Sequence, residues 1–194
     1  MTENIFEKIA QTYDTPERKH LAQIITKKIE PEFYGKVLDY GGGTGLVSLP
    51  LAEQADELLL VDPAEQMLAV AQHKINQQQL TNVRVLQADF TKETPELTVD
   101  TIVLSLVLLH IPDTKKILTE LFDLLPKGGK LLIVDFIENS KVYHPKVHNG
   151  FAESELSSLL KTIGFSQVSI QPFYRGEKIF MNQDAELFLA TCYK

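Results

Sequence analysis

Residues Val37 to Ala52, VLDYGGGTGLVSLPLA, set four glycines into five positions between a run that reads as a strand and one that reads as a helix. Glycine weakens regular structure, so such a cluster calls for turns of positive φ or for a ligand held against the main chain. A dinucleotide fingerprint starting at Gly41 needs glycine at position 46, where Leu46 stands, and a phosphate-gripping P-loop needs a following G-K-[ST] that is missing. What remains is D-x-G-x-G-x-G, from Asp39 through Gly41 and Gly43 to Gly45. A second stretch with chemical potential, IENSKVYHPKVHNGF, groups Tyr143, His144, His148, Asn149 and Phe151. This mixed aromatic and polar set suits a small ligand, or else the segment is an ordinary surface crossover into a helix.

These residues must be positioned by the elements around them. The runs KVLDY, ELLLVD, VRVLQADF, DTIVLSLVL and KLLIVDF read as buried strands separated by amphipathic stretches. In 63–79 the apolar positions Ala64, Met67, Leu68, Ala71 and Ile75 recur at the helical period, as do Ile117, Leu118, Leu121 and Leu125 in 113–125. Strands alternating with helices argue for an α/β fold with a largely parallel sheet. Two helices precede the first strand, the second stopped by Pro31. A helix carrying Leu156, Leu159, Leu160 and Ile163 ends at Gly164, and QVSIQPF and ELFLATCY close the chain as an antiparallel pair. No repeat or linker interrupts the sequence, so 1–194 is expected to be one domain.

Composition limits the function classes. Apolar residues make up 44% and charged residues 23%, as in a globular chain. The single cysteine, Cys192, excludes an internal disulfide and an all-cysteine metal site; no metal site is expected, and a reducing compartment, the cytoplasm, is. MTENIFEKIA lacks a signal-peptide pattern, and no apolar run reaches the ~18 residues that would span a bilayer. The net charge of −7, with three arginines (Arg18, Arg84 and Arg175), disfavours a nucleic-acid partner. Oligomeric state stays open.

From LDYGGGTG onward the sequence resembles the class I S-adenosylmethionine-dependent methyltransferases. Asp62 ends the second strand 17 residues beyond Gly45, QADF ends the third, LSLVLLHI the fourth, and LLPKGGKLLIVDF leads into the fifth. The resemblance implies a three-layer Rossmann-like sandwich whose mostly parallel seven-stranded sheet has its last strand antiparallel. It implies S-adenosylmethionine as cofactor, with Gly41, Gly43 and Gly45 letting the backbone approach its methionine and ribose. Asp62, beside Pro63, would accept both ribose hydroxyls, or merely cap a helix. Asp89 would accept from the adenine amino group and the Phe90 N–H would bond a ring nitrogen. Met67 would lie on the adenine face or simply pack. Asp39 would meet the cofactor's amino group, helped by the carbonyl of Ser105 or Leu106. Tyr13 would close over the methionine end or belong to the core.

The expected acceptor is a small molecule, since no NPPY-like tetrapeptide follows the fourth strand and SLVLLHIPD stands there instead. Segments 1–30 and 136–152 are expected to roof the site. If the acceptor must lose a proton, His148, ahead of His144, is the expected base because imidazole titrates near neutrality. His110 either packs or acts directly. The rival readings are a cofactor-binding sensor or partner subunit without transfer activity, and a methyltransferase of tRNA or protein.

Overall fold

A computed structural model of the chain describes residues 5–194; residues 1–4 of the first roofing segment lie outside the described part. The strands are β1 Gly35–Tyr40, β2 Ala55–Asp62, β3 Val83–Gln87, β4 Thr101–Ser105, β5 Lys130–Phe136, β6 Ser166–Phe180 and β7 Gln183–Tyr193. They form one seven-stranded sheet in the order β3-β2-β1-β4-β5-β7-β6, the Rossmann-like arrangement with an antiparallel last strand that the sequence implied. The chain divides into two compact units, residues 1–95 and 96–194.

In the first unit β2 pairs in parallel with both β1 and β3. The opening helix pattern resolves into α1 (Ile5–Ile9), a 3-10 turn (Ala10–Thr12) and α2 (Pro16–Ile29). Thr15 caps α2 by accepting the Arg18 N–H, and Ala22, Ile25 and Ile29 are its buried stripe. The run after the glycines, expected as a helix, is instead turns followed by a 3-10 segment, Leu49–Gln54. Left-handed backbone at Gly41, Gly43 and Gly45, then Pro50, leaves too few consecutive helical residues to nucleate an i→i−4 ladder there. The next pattern does form a helix, α3 (Glu65–Gln77), burying Met67, Leu68, Ala71 and Ile75.

In the second unit β4 runs parallel to β5, and β7 runs antiparallel to β5 and β6. All seven residues of β5 are buried, as a strand covered on both faces requires. No helix forms in 91–100, although an alternating pattern called for one; the stretch has Pro95 and no apolar stripe. Asp113 caps α4 (Thr114–Leu124) through the Lys116 N–H, and α5 (Glu153–Ile163) ends at Gly164 with φ 128°. The segment joining the last two strands, expected as a connector, is itself mostly strand. β6 and β7 form a long hairpin that turns at Met181 and Asn182, with φ 48° and 61°, as a tight hairpin turn demands.

Candidate active site

In the first unit the glycine loop is tied to β2: the Gly41 and Gly42 N–H groups donate to the Val61 carbonyl at 2.7 and 3.1 Å, and the Gly45 N–H turns back to the Gly42 carbonyl at 2.9 Å. A Cβ on Gly42 would sit 2.6 Å from Asp39 Oδ2, and one on Gly45 would strike Leu49 at 2.5 Å. A Cβ on Gly43 would meet nothing nearer than Asp62 Oδ2, at 4.0 Å. Open space therefore faces that carboxylate.

Asp62 is buried, yet both oxygens are engaged: Oδ2 accepts the Gly43 N–H at 3.0 Å and Oδ1 the Ala64 N–H at 2.8 Å. Each oxygen keeps lone-pair capacity for a further donor. Burial raises its pKa against the lowering effect of those amides. The helix-cap alternative finds no support in the first turn of α3. There Glu7, from α1, bridges the Glu65 and Gln66 N–H groups at 2.7 and 3.0 Å. Asp39 is buried beneath the loop; desolvation pushes it up to about 6, with Ser48 lowering it and Asp62 raising it. Ser48 Oγ acts on Asp39 from nearby but makes no hydrogen bond of good distance and angle.

Tyr13 lies with the Arg18 guanidinium 4.2 Å above its ring, and Arg18 also donates to the Tyr13 carbonyl. Burial raises the phenol pKa, Arg18 lowers it, and Asp62 and Asp14 raise it. Met67 is 1% exposed in a cluster with Ala10 and Ala64, against which Tyr13 and Phe6 pack. Pro63 is exposed and its carbonyl accepts from Gln87. A latch not legible in the sequence holds the glycine loop: Asp14 accepts from Thr44 Oγ1 at 2.6 Å and pairs with Lys74 at 2.6 Å, while Lys74 also donates to the Thr44 carbonyl at 2.7 Å.

After β3, Asp89 accepts from the Thr91 N–H and hydroxyl and pairs with Lys92 at 2.8 Å. Partial burial pushes its pKa up, but the bonds from Lys92 and Thr91 together outweigh that and hold it low. An open groove of about 350 Å³ runs past Asp89, Lys92 and Glu93. The Phe90 N–H, expected to await a ring nitrogen, is instead donated to Tyr40 Oη at 3.1 Å.

In the second unit Ser105 ends β4 opposite Val134, and the Leu106 N–H donates to the Val134 carbonyl at 2.8 Å. Leu106 has φ 56°, a left-handed conformation that a branched side chain adopts at a cost of about 1 kcal/mol. The 3-10 turn Leu108–His110 follows. Asp135, fully buried, accepts the Leu109 N–H at 3.1 Å and its neighbour Phe136 N–H at 2.8 Å, and burial drives it up to about 7 against these amides and that of Leu108. His148 clamps the same turn: its backbone N–H donates to the Leu109 carbonyl and its Nε2 bonds the Ile111 carbonyl at 2.9 Å. A carbonyl only accepts, so Nε2 carries the proton and Nδ1 is the ring position left to accept one. His144 stands in an exposed turn, its Nδ1 accepting the Lys146 N–H. Burial and then the charge of His144 lower the His110 pKa. Of the expected aromatic and polar set, Tyr143 is 91% exposed, while His148 and Phe151 are partly buried with their rings 5.4 Å apart.

A mixed sheet in this order, with a glycine loop between buried carboxylates at the ends of β1 and β2, defines a Rossmann-like small-ligand domain. Residues 34–175 match the family model described as a methyltransferase domain, and the chain belongs to that family, the class I S-adenosylmethionine-dependent methyltransferases. It is 32% identical over 109 residues to a phosphatidylethanolamine N-methyltransferase of Cereibacter sphaeroides, covering 55% of this chain and 53% of that protein. It is 31% identical over 200 residues to a ubiquinone/menaquinone biosynthesis C-methyltransferase of Blochmanniella floridana, covering 96% of this chain and 77% of that protein. The chain spans about half to three fifths of the length of several such relatives. Among solved structures, DhpI in its SAM-HEP complex superposes with a TM-score of 0.75 at 20% identity, covering 98% of this chain and 94% of that one, a likeness of fold. Among the described residues no helix is long and apolar enough to cross a membrane.

Proposed function

We propose that this chain transfers the methyl group of S-adenosylmethionine to a small-molecule acceptor. The observation that carries the reading is Asp62: a buried carboxylate, fixed by the Gly43 and Ala64 amides, facing the open space before Gly43. Two vicinal hydroxyls of a ribose satisfy such an acceptor. On this reading Gly41, Gly43 and Gly45 admit the cofactor to the backbone, and Asp39 and the carbonyl of Ser105 or Leu106 hold its amino group. Asp89 accepts from the adenine amine, with Pro63, Met67 and Phe90 bordering the base, and Tyr13 covers the methionine end.

When bound, the cofactor supplies an activated methyl on a sulfonium. The chain's part is to hold the acceptor close and in line, so positioning supplies much of the rate. For an acceptor that must lose a proton, we assign the base to His148 through Nδ1, with His144 second. Both units belong to one methyltransferase domain on this reading, the matched span covering parts of each, and segment 136–152 takes part in selecting the acceptor. The net charge of −7 supports a small acceptor over a nucleic acid, and one buried cysteine supports a cytoplasmic setting. The relatives named for phosphatidylethanolamine and quinone make lipid-like acceptors the first to screen. Calorimetry with S-adenosylhomocysteine, followed by an acceptor screen that reads its release, tests the proposal. Absence of binding refutes it, and binding without release for any acceptor favours the non-catalytic sensor.

A further inference from the structure

We propose that the Tyr40 hydroxyl, in place of the Phe90 amide, reads the adenine ring nitrogen beside the exocyclic amine. This rests on the S-adenosylmethionine reading above and concerns the same subsite.

Tyr40 closes β1 and is 3% exposed. Its oxygen accepts the Phe90 N–H at 3.1 Å, with the Thr91 amide also directed at it, and its ring lies 4.8 Å from that of Phe90 at a 34° tilt. A phenol also has one proton to give. Among the described residues Tyr40 gives it to none. The neighbouring Asp89 takes its bonds from Thr91 and Lys92 instead. A buried donor without an acceptor is unfavourable, so the O–H is matched to an acceptor that a ligand brings. The Phe90 N–H is in the opposite position. It is already donated to the Tyr40 oxygen, and turning it to a ligand would break that bond.

The two side chains together form a pattern. A carboxylate accepts beside a hydroxyl that donates, which complements an amine next to an unprotonated ring nitrogen, the edge that adenine presents. Hypoxanthine presents an oxo group and a ring N–H there and opposes both. Burial, reinforced by the Asp89 charge, pushes the phenol up to about 12, so it stays a donor throughout the working pH range. Tyr40 is thus a specificity-determining residue for the base, and the GGG run begins one residue after it.

The test compares S-adenosylhomocysteine with its 1-deaza analogue, in which that ring nitrogen is a C–H, by calorimetry on the wild type and on Tyr40→Phe. The wild type should lose about tenfold in affinity with the analogue. Tyr40→Phe should lose a similar factor for S-adenosylhomocysteine and show no further loss with the analogue. Unchanged S-adenosylhomocysteine binding by Tyr40→Phe, or equal losses with the analogue in both proteins, overturns the proposal while leaving the cofactor reading intact. No binding by the wild type fails the cofactor reading itself, and this proposal with it. If Tyr40→Phe does not fold, the wild type suffices: the Phe90 amide proton should resonate alike in the two complexes, and a large difference would assign the contact to the amide and overturn the role of Tyr40.

Discussion

Asp62→Ala separates a carboxylate that only braces the loop from one that also holds a ligand. The variant strands the Gly43 and Ala64 amides, bonded at 3.0 and 2.8 Å in the native chain. Hydrogen bonds to a charged acceptor contribute about 1.5–3 kcal/mol each. The Gly43 amide is only partly buried and regains water, so the summed loss of stability should be about 3 kcal/mol. For a chain of this length that lowers Tm by roughly 6–12 °C. If the carboxylate also accepts two ribose hydroxyls, a second loss of about 3 kcal/mol or more falls on binding, or roughly a hundredfold or more in Kd for S-adenosylhomocysteine. Differential scanning fluorimetry gives the first quantity and titration calorimetry below the variant's Tm gives the second. Asp62→Asn provides the control: one amide oxygen still accepts from a backbone N–H, so Tm should recover by half or more while affinity stays poor. A variant with lowered Tm and a Kd within threefold of wild type would refute the ribose role and leave Asp62 as a brace alone.

Further outcomes follow from other contacts. Lys74→Met breaks both the ion pair to Asp14 and the bond to the Thr44 carbonyl; stability should fall by about 1–3 kcal/mol, and amides 43–45 should exchange deuterium faster than in the wild type. Stability should decline as pH rises from about 4 to about 7: the folded chain, with Asp39 near 6 and Asp135 near 7, retains protons that the unfolded chain has already released, so their contribution is complete below the unfolded carboxylate pKa and gone above the folded one. Denaturant midpoints across that window check this, and Asp135→Asn should flatten the slope. With an acceptor in hand, His148→Gln should lower kcat and remove the acidic limb of the pH profile with cofactor affinity unchanged; an unaltered profile would make the residue a clamp for residues 109–111 only.

The strands were legible because short apolar runs bounded by turn residues suit strands covered on both faces, as KLLIVDF with no exposed position is. The seven-stranded sheet with its antiparallel last strand was implied by the family resemblance. Helices were overcounted where periodicity was weak. LVSLPLA has apolar residues at helical intervals, but its backbone conformation is decided by the left-handed glycines before it. The acids of the candidate site, nominated by the family resemblance, stood at or just beyond strand ends. Their supports did not, because Asp14, Thr44 and Lys74 lie 30 residues apart along the chain and meet only after α3 has docked. Asp135 left one trace, a carboxylate four apolar residues after Lys130 in an otherwise apolar strand. Tyr40 left another, a hydroxyl where the rest of β1 is closing into the core. Both are buried polar groups whose partners are backbone amides, and a side-chain pattern does not display those.

β6 is the outer strand of the sheet, fifteen residues long, and an edge of that length invites a neighbouring molecule to add a strand. Its pairing with β7 shifts register between Ser166 and Ser169, between Pro172 and Tyr174, and between Gly176 and Phe180. Pro172 lacks an N–H, and Arg175, Glu177 and Lys178 are exposed along the far half. No long unbroken ladder of donors and acceptors is therefore offered to solvent. The chain should tolerate high concentration without forming fibrils through this edge, whereas variants that replace Pro172 and neutralise Arg175 and Lys178 should self-associate there.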